Sequence, residues 1–354
     1  MKIVREFWNS GNEVGRRGDI TLEDWFEIVF SEQDDFELLP IDTEDDVDLL
    51  IVKGGVYEDP EKAGAILSFL ENRPDTKLCV LEGSRGPAYD FAKRRCLNVL
   101  NRTDALLHNS TFLEKDLRKI EAASRMSVFR TADLNLFRPT DEEPLPLESR
   151  SSIVSAFGAV MHCKGSVDFA DNFPAYANGR YAYGSVGHLM PSGNPRNEVK
   201  VFREFDDSVR FETDRFNLVG SYSKDDPAFH CFLRKTRFAV FCYGVDRFFP
   251  AVGWIESPEY SLLEAIDAGV PVIVHEDWLD SIRIFGEKPD LENSGFLTFR
   301  NWSDLGEERL LSFESEYEET IALQKNFLRR NWGKSAEEKL LLILRELVYG
   351  DADT

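Results

Sequence analysis

Through residues 1–140, short apolar runs alternate with stretches of helical periodicity. "KIVREFW" opens as a strand and runs into "NSGNEVGRRG", a glycine-bearing loop. "DLLIVKGG" (48–55) is an apolar run closed by paired glycines, "KLCVLEG" (77–83) reads as another buried strand, and "SVFRT" (127–131) as a short one. Between them, "EKAGAILSFLENRP" (61–74) sets Ala63, Ile66, Leu67 and Leu70 on one helical face. "DALLHNS" (104–110) leads into "TFLEKDLRKIEAA", an amphipathic helix capped by Ser110 or Thr111. Strands alternating with helices predict a parallel α/β sheet. "FRPTDEEPLPLESRSS" (137–152) is polar, proline-marked and without period, which predicts a linker.

The alternation then resumes. "IVSAFG" (153–158), "RYAYGSVG" (180–187), "FNLVG" (216–220), "FAVFCYG" (238–244) and "VPVIV" (270–274) read as strands, most of them ending in glycine. Glycine there lets the backbone approach a ligand at the carboxyl ends of the strands, where open parallel sheets bind. "SAEEKLLLILREL" (335–347) is an amphipathic helix. The expected organisation is a first domain over residues 1–145, a second over 150–330, and a segment 331–354 whose helix packs back on the first domain.

The chain length of 354 residues suits two domains. A hydrophobic content of 42% supports two cores and excludes a disordered chain. No apolar run reaches the roughly 18 residues of a membrane span, and the N-terminus lacks a signal-peptide core, so a soluble cytoplasmic protein is expected. The five cysteines are scattered, with no C-x-x-C, and the histidines form no metal-spaced pair, so reduced thiols and no metal site are expected. "DDVD" (45–48) reads as a solvated loop before a strand rather than a metal-binding pair. With 42 basic and 64 acidic residues the net charge is −22, which argues against nucleic acid as the main partner.

Residues 256–274, "ESPEYSLLEAIDAGVPVIV", place two glutamates eight positions apart before a β-branched run. The stretch resembles the E-x7-E signature of retaining glycosyltransferases of the family 4 type. Glu256 and Glu264 fall on the two glutamates, and Ala265, Gly269, Pro271 and Val272 on the tail that follows them. Further likenesses occur in the family's order, in "TDALLHNSTFLEKDL" (103–117), "VFRTADLNLFRPTDEE" (128–143), "IVSAFGAVMHCKGSVDFADNF" (153–173), "RFNLVGSYSKDDPAFHCFLRKTRFAVFCYG" (215–244) and "ENSGFLTF" (292–299). The resemblance implies the GT-B fold: two Rossmann-like domains whose parallel sheets face each other across a cleft, the first binding an acceptor and the second a nucleotide sugar.

It also implies a metal-independent transfer of a hexose-type sugar from a UDP- or GDP-sugar to a glycan, small molecule or protein, with no cofactor beyond the donor. Negative charge grows on the leaving diphosphate, and backbone N–H groups at a helix start answer it. Here that start lies near Ser257, Pro258, Glu259 and Tyr260, with Lys164 adding a point charge and Gly158 beginning the loop that carries it. Two carboxylates two turns apart on one helix share a face. By resemblance, Glu264 accepts hydrogen bonds from the ribose, Glu256 holds hydroxyls of the donor sugar, and Gly220, Ser221 and Tyr222 flank the base.

This chain departs from the family in two places. The family's Gly-Arg is Gly158-Ala159 here, with Arg234, Lys235 or Arg247 as candidate replacements. The family's acceptor-domain histidine aligns with "CVLEGSRG", which puts Glu82 or Arg85 in its place, with His108 as the nearest alternative; Gly11 in the first loop joins Glu82 and Arg85 as an acceptor-side candidate. These departures allow a second reading, a catalytically impaired GT-B pseudoenzyme that serves as a binding subunit, and the same fold allows a third, an enzyme of the sugar-nucleotide epimerase or phosphorylase type.

Overall fold

The computed structural model describes residues 1–6, 28–53, 60–82, 97–108, 127–130, 137–140, 142–157, 165, 169, 172, 180–186, 203–204, 220–221, 227–243, 258, 260–282 and 288–350. The chain divides into two compact units. The first comprises Met1–Leu136, Arg283–Glu287 and Gly333–Thr354, and the second Phe137–Ile282 and Lys288–Trp332. Helices α1 (Pro60–Glu71), α2 (Leu97–Arg102), α3 (Pro227–Lys235), α4 (Tyr260–Asp267), α5 (Glu276–Ser281), α6 (Glu307–Glu314), α7 (Tyr317–Asn331) and α8 (Lys334–Tyr349) follow in chain order.

In the first unit, β1 (Lys2–Glu6), β2 (Glu37–Leu39), β3 (Leu49–Lys53), β4 (Lys77–Glu82), β5 (Ala105–His108) and β6 (Ser127–Arg130) form a parallel sheet in the order β2-β1-β3-β4-β5-β6. The central strands are apolar on both faces because both faces are covered. Val52, Val80 and Leu106 share a cluster with Ala63, Ile66 and Leu70 of α1 and with Val99 and Leu100 of α2. On the other face, Ile51, Cys79, Leu81 and Leu107 meet Leu340, Leu341 and Leu344 of α8. Strand β2 and helix α2 escape the sequence pattern. Both are short, and the three residues of β2 lie partly exposed at a sheet edge with no alternation to detect.

The second unit holds β7 (Ile153–Phe157), β8 (Ala182–Val186), β11 (Phe238–Phe241), β12 (Val272–His275) and β13 (Leu297–Phe299), a parallel sheet in the order β13-β12-β11-β7-β8. The chain steps outward from β7 to β8, then returns to β11 on the other side of β7. That reversal makes a topological switch point at the carboxyl ends of β7 and β11, the place where sheets of this kind bind ligands. The strand expected over 216–220 is described only at its end. Gly220–Ser221 (β10) pairs with Arg203–Glu204 (β9) in a separate two-stranded sheet.

The stretch expected to be a linker runs along the second unit and is fastened to it. Thr140 donates both its backbone N–H and its Oγ1 hydroxyl to the Asp267 carboxylate, each at 2.8 Å. Arg150, 4% exposed, donates to the carbonyls of Leu145, Arg234, Thr236 and Gly269. Gln324, 1% exposed, closes the far side: its amide pairs with both N–H and C=O of Val272 at 2.9 and 3.0 Å and donates to Gly295 O at 2.9 Å. Among the described residues, no helix is long and apolar enough to cross a membrane. Of the described cysteines, Cys79 and Cys242 are buried and Cys231 is exposed, all three as free thiols.

Candidate functional site

At the switch point the described chain makes one close approach. Gly165, the residue after Lys164, has φ +69°, and a Cβ placed on it would stand 2.4 Å from Cys242 O and 2.5 Å from Cys242 Cβ, just past the end of β11. Its carbonyl accepts from Phe169 N at 2.8 Å, a bond of helical span. The turn at Gly165 is therefore seated against the end of β11 by a residue that only glycine satisfies. Gly165→Ala is expected to destabilise the second unit by about 2–3 kcal/mol, from the left-handed backbone plus forced displacement of β11's end. A thermal melt checks this, and an unchanged midpoint would contradict the seating.

The glutamate motif divides into two parts. Helix α4 begins at Tyr260, and Pro258 before it is buried and not helical. Glu264 lies on α4, and Glu256, expected to share its face, lies outside the described residues.

The motif's tail is a helix stop. Gly269, at φ +67°, donates its N–H to Ile266 O at 2.9 Å, and Val270 donates to Ala265 O at 2.8 Å, the double bond pattern of a Schellman cap. Ala265 is fully buried. Pro271 lends its carbonyl to Ala239 N at 3.0 Å and, opening β12, has no N–H to leave unpaired.

Glu264 is half-buried with its Oε2 buried, and it lines a cavity of about 590 Å³ with Thr140, Glu142, Cys231, Arg234 and Asp267. Arg234 forms an ion pair with Glu142 there. Burial pushes the Asp267 carboxyl above its ordinary value, against the opposing pull of its Thr140 bonds. Lys325, whose affinity for its proton burial lowers, donates to Glu142 O at 2.6 Å and Asp267 O at 3.0 Å. The described wall runs towards Asp267 and Ala268, the end of α4 that leads into β12. Glu264 is the fifth of the eight residues of α4.

Of the remaining expected site residues, Gly158, Lys164, Glu256, Ser257, Glu259, Tyr222, Gly11 and Arg85 lie outside the described residues. Tyr260 opens α4, Gly220 and Ser221 form β10, and Glu82 ends β4 in register with His108 on β5. The sequence reading missed Gly165. Its signal was the Lys-Gly pair after a strand, read for the lysine alone. Arg150 and Gln324 left no signal, because their partners are backbone groups far along the chain.

No family model matches the chain, and no curated protein matches it. Among solved structures, the chain is similar to an alpha-glucosyltransferase in complex with UDP and a 13-mer DNA containing an HMU base, at 16% identity over 97% of this chain and 99% of that one, with a TM-score of 0.67. An alpha-glucosyltransferase in complex with UDP-glucose and DNA containing an abasic site aligns at 13% identity over 97% and 98%, with a TM-score of 0.68. The DNA-modifying enzyme beta-glucosyltransferase aligns at 12% identity over 99% and 100%, with a TM-score of 0.55. The fold is GT-B, with two Rossmann-like domains.

Proposed function

We propose that the chain is a glycosyltransferase that moves a hexose from a UDP-sugar to a hydroxyl acceptor. The observation that supports this best is the fold's likeness, over nearly the whole length of both chains, to an enzyme solved with UDP-glucose, in a molecule whose second sheet has its switch point at β7 and β11. In this reading the diphosphate sits at the carboxyl ends of those strands, near the turn of Lys164 and Gly165. Glu264 holds the ribose, Glu256 the hexose, and Gly220 to Tyr222 flank the base. The acceptor oxygen attacks C1 on the face that the diphosphate leaves, the C1–O bond to phosphate breaks with its electron pair, and the departing diphosphate takes the hydroxyl proton. That course retains configuration and uses no metal.

Isothermal titration with UDP and UDP-glucose tests the donor role. Glu264→Ala is expected to weaken UDP binding by about 10- to 100-fold, the usual worth of a hydrogen bond to a charged group. Equal affinity in both proteins would remove the ribose role, and no affinity for any nucleotide sugar would remove the whole reading. Turnover of UDP-glucose measured over hours separates an enzyme from a binding subunit.

A second reading names the acceptor as a hydroxymethylated base in DNA. It is favoured by the full-length likeness to two DNA-acting glucosyltransferases and opposed by the net charge of −22. Transfer of labelled glucose to duplexes with and without hydroxymethyluracil, at low salt, decides it. Label on the modified duplex alone supports the reading, and label on neither excludes it.

A further inference from the structure

Helix α5 starts at the carboxyl end of β12, beside β11 and on the switch-point edge of the second sheet. Its cap is His275, 7% exposed, where Ser, Thr, Asp or Asn is the usual choice. The Nδ1 atom accepts from Asp277 N at 3.3 Å, and Nε2 lies 3.1 Å from Arg300 O. A carbonyl only accepts, so Nε2 carries the hydrogen and Nδ1 the lone pair: the ring serves as a cap only while neutral. Phe299 stands edge-on to the ring at 5.2 Å and holds its plane.

The helix so capped supports the edge itself. Trp278 of α5, fully buried, packs on Tyr243 at 5.4 Å, and Tyr243 packs on Phe241 of β11 at 5.7 Å. Cys242, between those two aromatics, is the residue on which Gly165 rests.

We propose that His275 is a proton-sensitive clasp on this edge. Proton uptake turns Nδ1 into a donor that faces the donor N–H of Asp277, and the cap bond is lost. The Asp277 carboxylate, with Oδ2 3.8 Å from Nδ1, offers the imidazolium a partner outside the capping geometry. The other charged groups at this end are already engaged. Arg300 is paired with Glu276 at 2.7 Å, and Asp304 accepts from the backbone N–H of Arg300 and Asn301. Farther along α5, Lys288 pairs with Asp280 at 3.5 Å. The sign is fixed by the lone pair: neutral imidazole clasps α5, and acid releases it.

The consequence for ligand affinity rests on the donor site proposed above, so the test has two arms. UDP-glucose is the probe, because its diphosphate diester does not titrate near neutral pH. As the pH is lowered from neutral, wild-type affinity is expected to fall by about fivefold or more. His275→Asn keeps a capping oxygen and cannot titrate, and its affinity is expected to stay level. The second arm needs no ligand. Hydrogen exchange at Asp277–Ile282, taken as the ratio of wild type to His275→Asn at each pH, is expected to rise as the pH falls. Parallel affinity profiles in the two proteins, or a flat exchange ratio, overturn the clasp. Absence of UDP-glucose binding at every pH overturns the donor site instead, and the exchange ratio then decides the clasp alone.

Discussion

Replacing Arg150 with methionine is expected to destabilise the second unit by about 3–5 kcal/mol, the range seen when one side of a buried charged contact is removed. The guanidinium gathers four carbonyls from four places. These are Leu145 of the proline-rich strap, Arg234 at the end of α3, Thr236 before β11, and Gly269 at the cap of α4. Its carbon also lies 5.6 Å from the ring centroid of Tyr317 on α7. Methionine fills most of the stem's volume but donates nothing, so the carbonyls lose their partner without regaining water. Lysine keeps the charge but lacks the planar fork, and it is expected to recover less than half of the loss. Urea unfolding followed by tryptophan emission reads the change, since the buried Trp278 and Trp332 lie in this unit. A loss below about 1 kcal/mol for methionine would mean that the strap is held by something else.

Gly269→Ala is expected to cost about 2–4 kcal/mol, from a left-handed backbone and a steric collision together. The new Cβ would lie 2.3 Å from Pro144 Cβ and 3.0 Å from Pro144 Cα, so the strap must move. A control separates this from a general dislike of alanine. Gly64, inside α1, has nothing within 4 Å of the place a Cβ would take, and Gly64→Ala is expected to stabilise the protein by about 0.5–1 kcal/mol. If both variants shift the thermal midpoint in the same direction, the left-handed cap is not the cause. Replacing Pro144 with glycine, which removes the Cβ that the new side chain meets, should return part of the loss in the Gly269→Ala background and so measures the collision apart from the backbone strain.

The Gly269 contact bears on how the motif is read. In "EAIDAGVPVIV", the first alanine is there for burial, the glycine for a left-handed cap, and the proline for a strand start. These are requirements of folding. They explain why the tail is easy to recognise and why recognising it says less about chemistry than about a helix that must end and a strand that must begin. Glu264, half-buried on the wall of a cavity, is the position of the motif at which a ligand experiment is most informative.

The sequence by itself determined the alternation of buried strands with amphipathic helices, the parallel character of both sheets and the helix at 334–349. Those follow from side-chain periodicity and burial on both faces, which neighbouring residues decide among themselves. It could not set the switch point between β7 and β11 or the fastening of the strap. The strap hangs on contacts such as Lys325 to Glu142 O, across 183 residues, and Arg150 to Gly269 O, across 119. Their acceptors are main-chain carbonyls, alike at every residue, so only the folded chain selects which of them a buried cation meets.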